Sequence, residues 1–294
     1  MRLEGIHHIT AITGDAPGNV DFYARVLGLR LVKKTVNQDD PTVYHLFYAD
    51  ERGSAGSDIT FFEYPGARRG RAGAGMVNRV VWRVGSEESL DFWEERLRSE
   101  GVPVSRAEGR LTFSDPESLG LELAVVATDD EPLVAENPEI PAELALQGFE
   151  GVRAYTSDTE ASRAFLEGTL AFEPRGESDF EARGDHRGSF YAYDQTSERG
   201  IPGAGTVHHV AWSSPSEEHE AWQQRVIEGG GAPTPVIDRF YFKSVYFREP
   251  SGVLFEIATI GPGFTTDEPL EHLRDQVEPV LTPLPNPRES WAKR

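Results

Sequence analysis

Two histidine doublets and one glutamate carry the residue types from which a metal site can be built. His7 and His8 lie in GIHHITAIT, His208 and His209 in TVHHVAW, and Glu256 in LFEIAT. One imidazole from each doublet with one carboxylate makes a two-histidine, one-carboxylate set. Fe(II), Mn(II) and Zn(II) all accept such donors, and a three-ligand face with open positions favours non-haem Fe(II), which then binds an organic substrate together with dioxygen. A lone histidine on a strand is most often just a satisfied polar residue. Two doublets at equivalent places in two repeats point the other way. Glu256 stands among Leu254, Phe255 and Ile257, where an unpaired carboxylate is costly to bury. Adjacent strand residues face opposite sides, so one member of each doublet is expected to point at a given metal.

The elements that must position these residues repeat along the chain. Residues 5–13 form a strand by pattern. Asp15 is a candidate N-cap and Pro17 fits a first turn, so a helix is expected through NVDFYARVLG, ended by Gly28. TVYHLFYAD and SDITFFEYP follow as strands. Residues 76–127 repeat the order, with the strand MVNRVVWRV, a helix over SEESLDFWEERLRSEG capped by Ser86 and stopped by Gly101, and the strands RLTFSDP and LGLELAV. Residues 149–194 repeat it less clearly, with a helix expected over TEASRAFLEGTLAF. Residues 206–259 repeat it again: SEEHEAWQQRVIEGGG matches the second unit's helix, and REPSGVLFEIAT matches SDPESLGLELAV. One such unit leaves a sheet edge and a face uncovered, so units are expected to pair into half-barrels, each with an open cup.

This organisation divides the chain into two units over 1–127, the first carrying His8; a Glu/Pro-rich linker over 128–148; two units over 149–260, the last carrying His209 and Glu256; and a tail over 261–294. In the tail, EPLEHLRDQVEPVL has the pattern of a short helix. The tail's candidate roles are to cover an edge, close a cup or join a homo-oligomer contact.

Composition excludes several function classes. The 294 residues include no cysteine, so disulfides, thiolate metal sites and cysteine nucleophiles are excluded. A formal net charge of -20 argues against nucleic acid or an anionic membrane as partner. No stretch reaches the roughly 20 apolar residues of a membrane helix, and no apolar signal segment opens the chain, so a cytoplasmic protein is expected. The only lysines are Lys33, Lys34, Lys243 and Lys293. So acidic and arginine-rich a composition has a plain reading, a GC-rich genome and a well-solvated surface, and a sharper one, favoured here: a protein adapted to high salt, a halophilic one, where screening makes such a surface tolerable.

HHITAIT, FYARVLGLRLVKKTVNQDDP, HHVAW and DRFYFKSVYFREPSGVLFEIAT together resemble the vicinal oxygen chelate (glyoxalase/extradiol dioxygenase) superfamily, and within it the ring-cleaving dioxygenases of the hydroquinone-dioxygenase type. The resemblance runs from about residue 5 into the GPGFTTDEPLEHL tail. It implies an α+β fold of four βαβββ modules paired into two half-barrel cups, with the first and fourth modules forming the active one. It implies metal ligands at the second histidine of each doublet and the glutamate of FEIAT, here His8, His209 and Glu256. It also implies active-site neighbours at His7, Thr10, His208, Arg239 and Tyr246. The residues agree: the second module has Arg79 where the first has His8, and the third, FEGVRAYT, has no histidine. His7 and His208 conflict with strict alternation, and a β-bulge would resolve the conflict.

The function so implied is an Fe(II)-dependent dioxygenase, with Mn(II) as the other candidate metal, acting with O2 on a hydroquinone or catechol-like phenol. A neutral His7 or His208 would accept a substrate hydroxyl proton near neutral pH, and Arg239 or Tyr246 would hydrogen-bond developing negative charge. Two alternatives belong to the same fold: a metal-dependent isomerase or lyase of the glyoxalase kind, and a non-enzymatic small-molecule binding protein such as a drug-sequestering one. Glu63 in FFEYP stands as the first module's counterpart of Glu256. If it joined the metal the site would have four protein ligands, as in the isomerases; a non-ligand Glu63 is expected.

Overall fold

The computed structural model describes residues 1–270. Most of the helix expected over EPLEHLRDQVEPVL lies outside the described residues.

Four units follow one another. The first comprises β1 (Ile6–Thr13), α1 (Ala16–Val20), β2 (Arg30–Val36), β3 (Tyr44–Ala49) and β4 (Asp58–Glu63). The second comprises β5 (Met76–Val84), α2 (Glu87–Ser99), β6 (Ser105–Ala107), β7 (Arg110–Ser114) and β8 (Gly120–Val125). The third has β9 (Phe149–Thr156), β10 (Glu173–Pro174), β11 (Asp179–Arg183) and β12 (Gly188–Gln195). The fourth has β13 (Val207–Ser214), α3 (His219–Glu228), β14 (Ile237–Asp238), β15 (Lys243–Arg248) and β16 (Leu254–Thr259).

Local chemistry explains the helices. The Asp15 side chain accepts from the Gly18 backbone N–H and Pro17 sits in the first turn of α1. Beyond Val20 the helix widens into a π-type turn over Asp21–Val26, closed by Leu27 N–H donating to the Phe22 carbonyl. Ser86 caps α2, whose Leu90, Trp93 and Leu97 are buried. The helix expected in the third unit is reduced to one wide turn, Phe165–Thr169. Thr159, Gly168 and Thr169 are weak helix formers, and Ser162 is drawn instead to the buried Glu249 carboxylate.

The strands form two eight-stranded sheets that curl into half-barrels. One runs β14-β15-β16-β13-β1-β4-β3-β2, so the first and fourth units share it. The other, β10-β11-β12-β9-β5-β8-β7-β6, joins the second and third. At the centre of each sheet the opening strands of two units meet antiparallel, each flanked by the parallel last strand of its own unit. One continuous core draws apolar side chains from both sheets and the helices, while a smaller cluster that includes Phe47, Ala211, Phe242, Ala258 and Phe264 lines the concave face of the first sheet. Residues 128–148 are packed against the units rather than free: Ile140 and Leu146 are buried and Trp93 Nε1 donates to the Leu144 carbonyl.

Four bulges set the phase of the opening strands. Ile6 and Ile9 both reach the main core although they are three residues apart, as do Val207 and Val210, Val77 and Val80, and Phe149 and Val152. Plain alternation would send such pairs to opposite faces. Pairing jumps from Ile6–Trp212 to His8–Ala211, leaving His7 as the extra residue, and from Thr10–His209 to Ala11–Val207, leaving His208 extra. In the second sheet the skipped residues are Asn78 and Glu150. The bulge expected from the doublets is therefore present, and it recurs in all four units.

Candidate metal centre

The bulges bring the second histidine of each doublet onto the concave face of the first sheet. His8 stands on β1 and His209 on the neighbouring β13. Glu256, on β16, pairs with Ala211 two residues beyond His209, so alternation turns Glu256 and Ala258 to the same face while Phe255 and Ile257 enter the core. The three functional atoms form a near-equilateral triangle. His8 Nε2 and His209 Nε2 lie 3.2 and 3.0 Å from Glu256 Oε2 and 3.2 Å from each other. All three residues are buried.

This donor set fits a divalent cation. Ligand atoms on arms of roughly 2.1 Å set at right angles stand ~3.0 Å apart, against ~3.4 Å for tetrahedral arms. The observed spacing of 3.0–3.2 Å falls within that range. Glu256 Oε1 accepts from Ser244 Oγ, whereas Oε2 is fully buried and has no hydrogen-bond partner. The imidazole nitrogens are close to Oε2 but do not aim a donor at it. A buried carboxylate oxygen left in that state is costly unless a cation completes it. Burial works against ionisation of Glu256, yet the two imidazoles outweigh it and hold the carboxyl well below its usual range. Burial likewise disfavours charge on His8, but Glu256 outweighs it and the net shift is upward. For His209 burial prevails and the shift is downward.

The first histidines of the doublets do not line the cup. His7 Nδ1 lies 2.9 Å from His8 Nδ1, and His208 Nδ1 lies 2.8 Å from His209 Nδ1. Burial lowers the pKa of His7 to about 3, and the ring also hydrogen-bonds the Thr259 backbone. A neutral His7 that donates to the Thr259 carbonyl has an acceptor free for His8 Nδ1–H. That leaves the lone pair of His8 Nε2 directed at the metal position. The bulges thus place His7 and His208 beside the His8 and His209 imidazoles rather than on the cup lining, the arrangement by which an outer partner can orient a histidine ring.

Three expected neighbours do face the cup: Thr10, Arg239 and Tyr246. Thr10 Oγ1 is 2.8 Å from Thr60 Oγ1. Arg239 reaches Tyr246 OH at 3.3 Å and grips Asp39 with both terminal nitrogens at 3.0 and 2.8 Å, tying the loop after β2 to the loop before β15. Sequence reasoning missed His45, which also lines the cup and whose Nε2 lies 2.8 Å from Thr60 Oγ1. Burial holds His45 well below its ordinary pKa, with His8 and His209 adding to the effect. Its signal was weak: a single histidine in YHLFYA, alternating with Phe47 on one face.

Glu63 is not the counterpart of Glu256. Glu256 stands opposite the residue two beyond His209, and the residue in register two beyond His8 faces Thr60. Glu63 lies at the far end of β4, opposite Thr13 and Tyr44, and accepts a hydrogen bond from the Ala16 backbone. The place where a fourth carboxylate ligand would stand is therefore held by a threonine. In the second sheet the equivalents are Arg79 for His8 and Glu122 for Glu256, with Arg79 donating to Glu122 at 2.8 Å and Arg110 contacting it more closely still. An internal ion pair fills that cup's would-be metal position.

Known proteins share this sequence pattern and fold. The family model described as the Glyoxalase/Bleomycin resistance protein/Dioxygenase superfamily matches residues 5–129 and 148–257. A Bacillus subtilis protein provisionally named ring-cleaving dioxygenase MhqO is 41% identical, the match covering 94% of this chain and 91% of MhqO. The chlorohydroquinone/hydroquinone 1,2-dioxygenase of Sphingobium indicum is 34% identical, covering 94% of this chain and 91% of its own. Among solved structures, a provisionally named dioxygenase from Bacillus subtilis superposes with a TM-score of 0.86 at 37% identity, covering 97% of this chain and 98% of that one. Glyoxalase I from Zea mays shares the fold, with a TM-score of 0.58 at 16% identity, covering 92% of this chain and 95% of that one. Among the described residues no helix is long and apolar enough to cross a membrane.

Proposed function

The chain belongs to the glyoxalase/bleomycin resistance protein/dioxygenase superfamily, and from that premise we propose that it is a ring-cleaving dioxygenase. It opens a hydroquinone or catechol-like phenol with O2, using Fe(II) held by His8, His209 and Glu256. The observation that carries the reading is the triangle of donor atoms 3.0–3.2 Å apart, one of them the unpartnered Glu256 Oε2. Bound there, Fe(II) would supply a Lewis acid and an electron path between an aromatic substrate and dioxygen.

The chain's own residues then have distinct tasks. Phe62 and Phe242 wall the cup as apolar surfaces for a ring. His45, neutral at physiological pH, accepts the proton that a substrate hydroxyl gives up, with the linked hydroxyls of Thr60 and Thr10 as the relay. Tyr246, whose hydroxyl burial keeps protonated, and Arg239 donate hydrogen bonds to developing negative charge. The Arg239–Asp39 clasp holds those donors at the mouth. His7 and His208 fix the orientation of the metal-holding imidazoles.

Thr60 at the fourth-ligand place favours this reading over a glyoxalase-type isomerase, because it leaves that side open to substrate. The test is anaerobic Fe(II) loading of the protein followed by oxygen-uptake assays with a panel of hydroquinones and catechols, with Mn(II) loaded in parallel. Uptake matched to ring loss is expected. Stoichiometric iron with no uptake on any panel member sinks the reading.

A further inference from the structure

Phe242 divides the concave face of the first sheet. Its ring centre lies 5.0 Å from those of both His7 and His8. On the His8 side is the cup. On the His7 side is a larger chamber of about 450 Å³, and Tyr241 and Phe242 wall both spaces. Leu133, Ile260 and Phe264 give the chamber apolar walls. Two buried polar atoms of residues lining it, Ser213 Oγ and Arg187 Nε, have no hydrogen-bond partner.

Arg187 is an unusual cation. Its terminal nitrogens donate to the carbonyls of Glu131 and Gln147, both at 2.9 Å, and among the described residues no ion pair neutralises it. Nearby Asp130 is taken up by Arg83 and Arg183. The carboxylate of Glu4, another chamber residue, accepts from the backbone N–H groups of Asp185, His186 and Arg187. The guanidinium occupies a slot that exists only because two residues lack a side chain: a Cβ on Gly56 would lie 2.8 Å from Arg187 Nε, and one on Gly148 2.5 Å from a terminal nitrogen. Burial pulls its pKa down to about 10. A buried guanidinium without a carboxylate costs stability, and an anionic ligand in the adjoining chamber removes that cost. The lining is mixed: Leu133, Phe242, Ile260 and Phe264 are apolar, Glu4 is taken up by backbone N–H groups, and the exposed Glu131 and His186 stand among the remaining polar groups; a concave space that joins apolar walls to a few polar groups is the usual form of a small-molecule site.

We propose that this chamber is a second ligand site, one that takes a small unsaturated monocarboxylate with its charged end on Arg187 and Ser213 and its carbon chain against Phe242, Leu133 and Phe264. The identity of that ligand rests on the dioxygenase reading. Ring cleavage with O2 breaks the bond between the hydroxylated carbon and its neighbour. Both oxygen atoms enter the product, one completing a carboxyl group and the other an aldehyde, and no external reductant is consumed. The acid loses its proton at neutral pH. The class of product is thus an open-chain unsaturated carboxylate, formed one aromatic ring's width from the chamber.

The test uses the full-length metal-free protein and sorbate, a six-carbon dienoate, titrated by calorimetry with the neutral alcohol of the same skeleton as control. One-to-one binding of sorbate is expected. The alcohol, and sorbate with Arg187→Met, should each bind at least about ten-fold more weakly, the loss of a charge-assisted hydrogen bond. Ala55→Phe fills the chamber without touching the metal cluster and should abolish binding. Because Arg187 also clips two carbonyls, Ser213→Ala and Ala55→Phe decide the matter if Arg187→Met does not fold. No sorbate binding, or equal binding by the alcohol or by Ala55→Phe, overturns the proposal. Since the readout needs no metal, sorbate binding without oxygen uptake would fail the dioxygenase reading alone, and uptake without sorbate binding would fail the chamber alone.

Discussion

Replacing Glu256 by glutamine tests the metal centre with the least change in shape. The carboxylate is fully buried, and Oε2 lies 3.2 and 3.0 Å from the two imidazole nitrogens. Glutamine retains a group for Ser244 Oγ to donate to but presents a neutral amide to the metal. Removing one partner from a buried ion pair typically costs about 3–5 kcal/mol. At roughly 1.4 kcal/mol per decade, that is a loss of about two to three and a half decades in affinity. The metal-free fold should suffer far less, because His8 can simply lose the proton that Glu256 now favours on it. The assay pairs Mn(II) binding, read by electron paramagnetic resonance, with thermal melts with and without Mn(II). A ligand at about a thousand times its Kd adds ~4 kcal/mol to the folded state, so wild type should gain several degrees on adding metal and Glu256→Gln almost none. A variant that melts like wild type without metal, yet keeps wild-type Mn(II) affinity, refutes the assignment.

Thr60→Glu should place a fourth carboxylate at the register position opposite Thr10; metal retention with loss of oxygen uptake is expected, and unchanged uptake would contradict the open-side argument. His7→Phe removes the acceptor for His8 Nδ1–H and should weaken metal binding about 10- to 100-fold with little change in overall fold, as judged by metal titration and circular dichroism. Asp130, held by Arg83 and Arg183, has its pKa lowered from 3.8 to about 2. Its contribution of about 2 kcal/mol is therefore present above pH ~4 and lost as pH falls towards ~2, so urea melts of wild type and Asp130→Asn should differ at pH 7 and converge in acid. The net charge of -20 predicts that the melting temperature rises from roughly 0.1 to 1 M KCl as the Debye length contracts from ~10 to ~3 Å; a flat profile counts against salt adaptation.

What the sequence disclosed depended on pattern length. The four units were legible because each repeats a strand, a helix with caps such as Asp15 and Ser86, and a closing strand over some fifty residues or so. Pairing of the outer units came from the family resemblance, with which the histidine doublets, present only in those units, agree. Register was not legible. Glu63 looked like the partner of Glu256 because both sit in short apolar runs, and nothing local says that β4 pairs with β1 so that Thr60, three residues earlier, takes the equivalent place. Side-chain roles within the doublets were hidden for a related reason. Alternation alone predicts opposite faces for His7 and His8, and the bulge that joins them is a property of pairing between strands about two hundred residues apart. His45 was hidden because a lone histidine carries no spacing signal.

The second sheet shows which part of the site is scaffold and which part is chemistry. It has the same central strands, the same bulges at Asn78 and Glu150, and a buried glutamate, Glu122, in the same register as Glu256. There the place of His8 is taken by Arg79, whose guanidinium neutralises Glu122 directly. A buried carboxylate must be neutralised in either cup. Arginine does so permanently, within the chain. Two imidazoles around Glu256 do so only in part, leaving one oxygen without a partner. The duplicated fold therefore supplies a bulge and a buried carboxylate in both halves, and the difference between a closed ion pair and a metal centre lies in what each bulge presents to that carboxylate. The bulge after Ile6 also turns His7 from an outward-facing residue into the partner of His8 Nδ1, so one extra residue in the strand sets both the position of His8 and the surroundings of its ring.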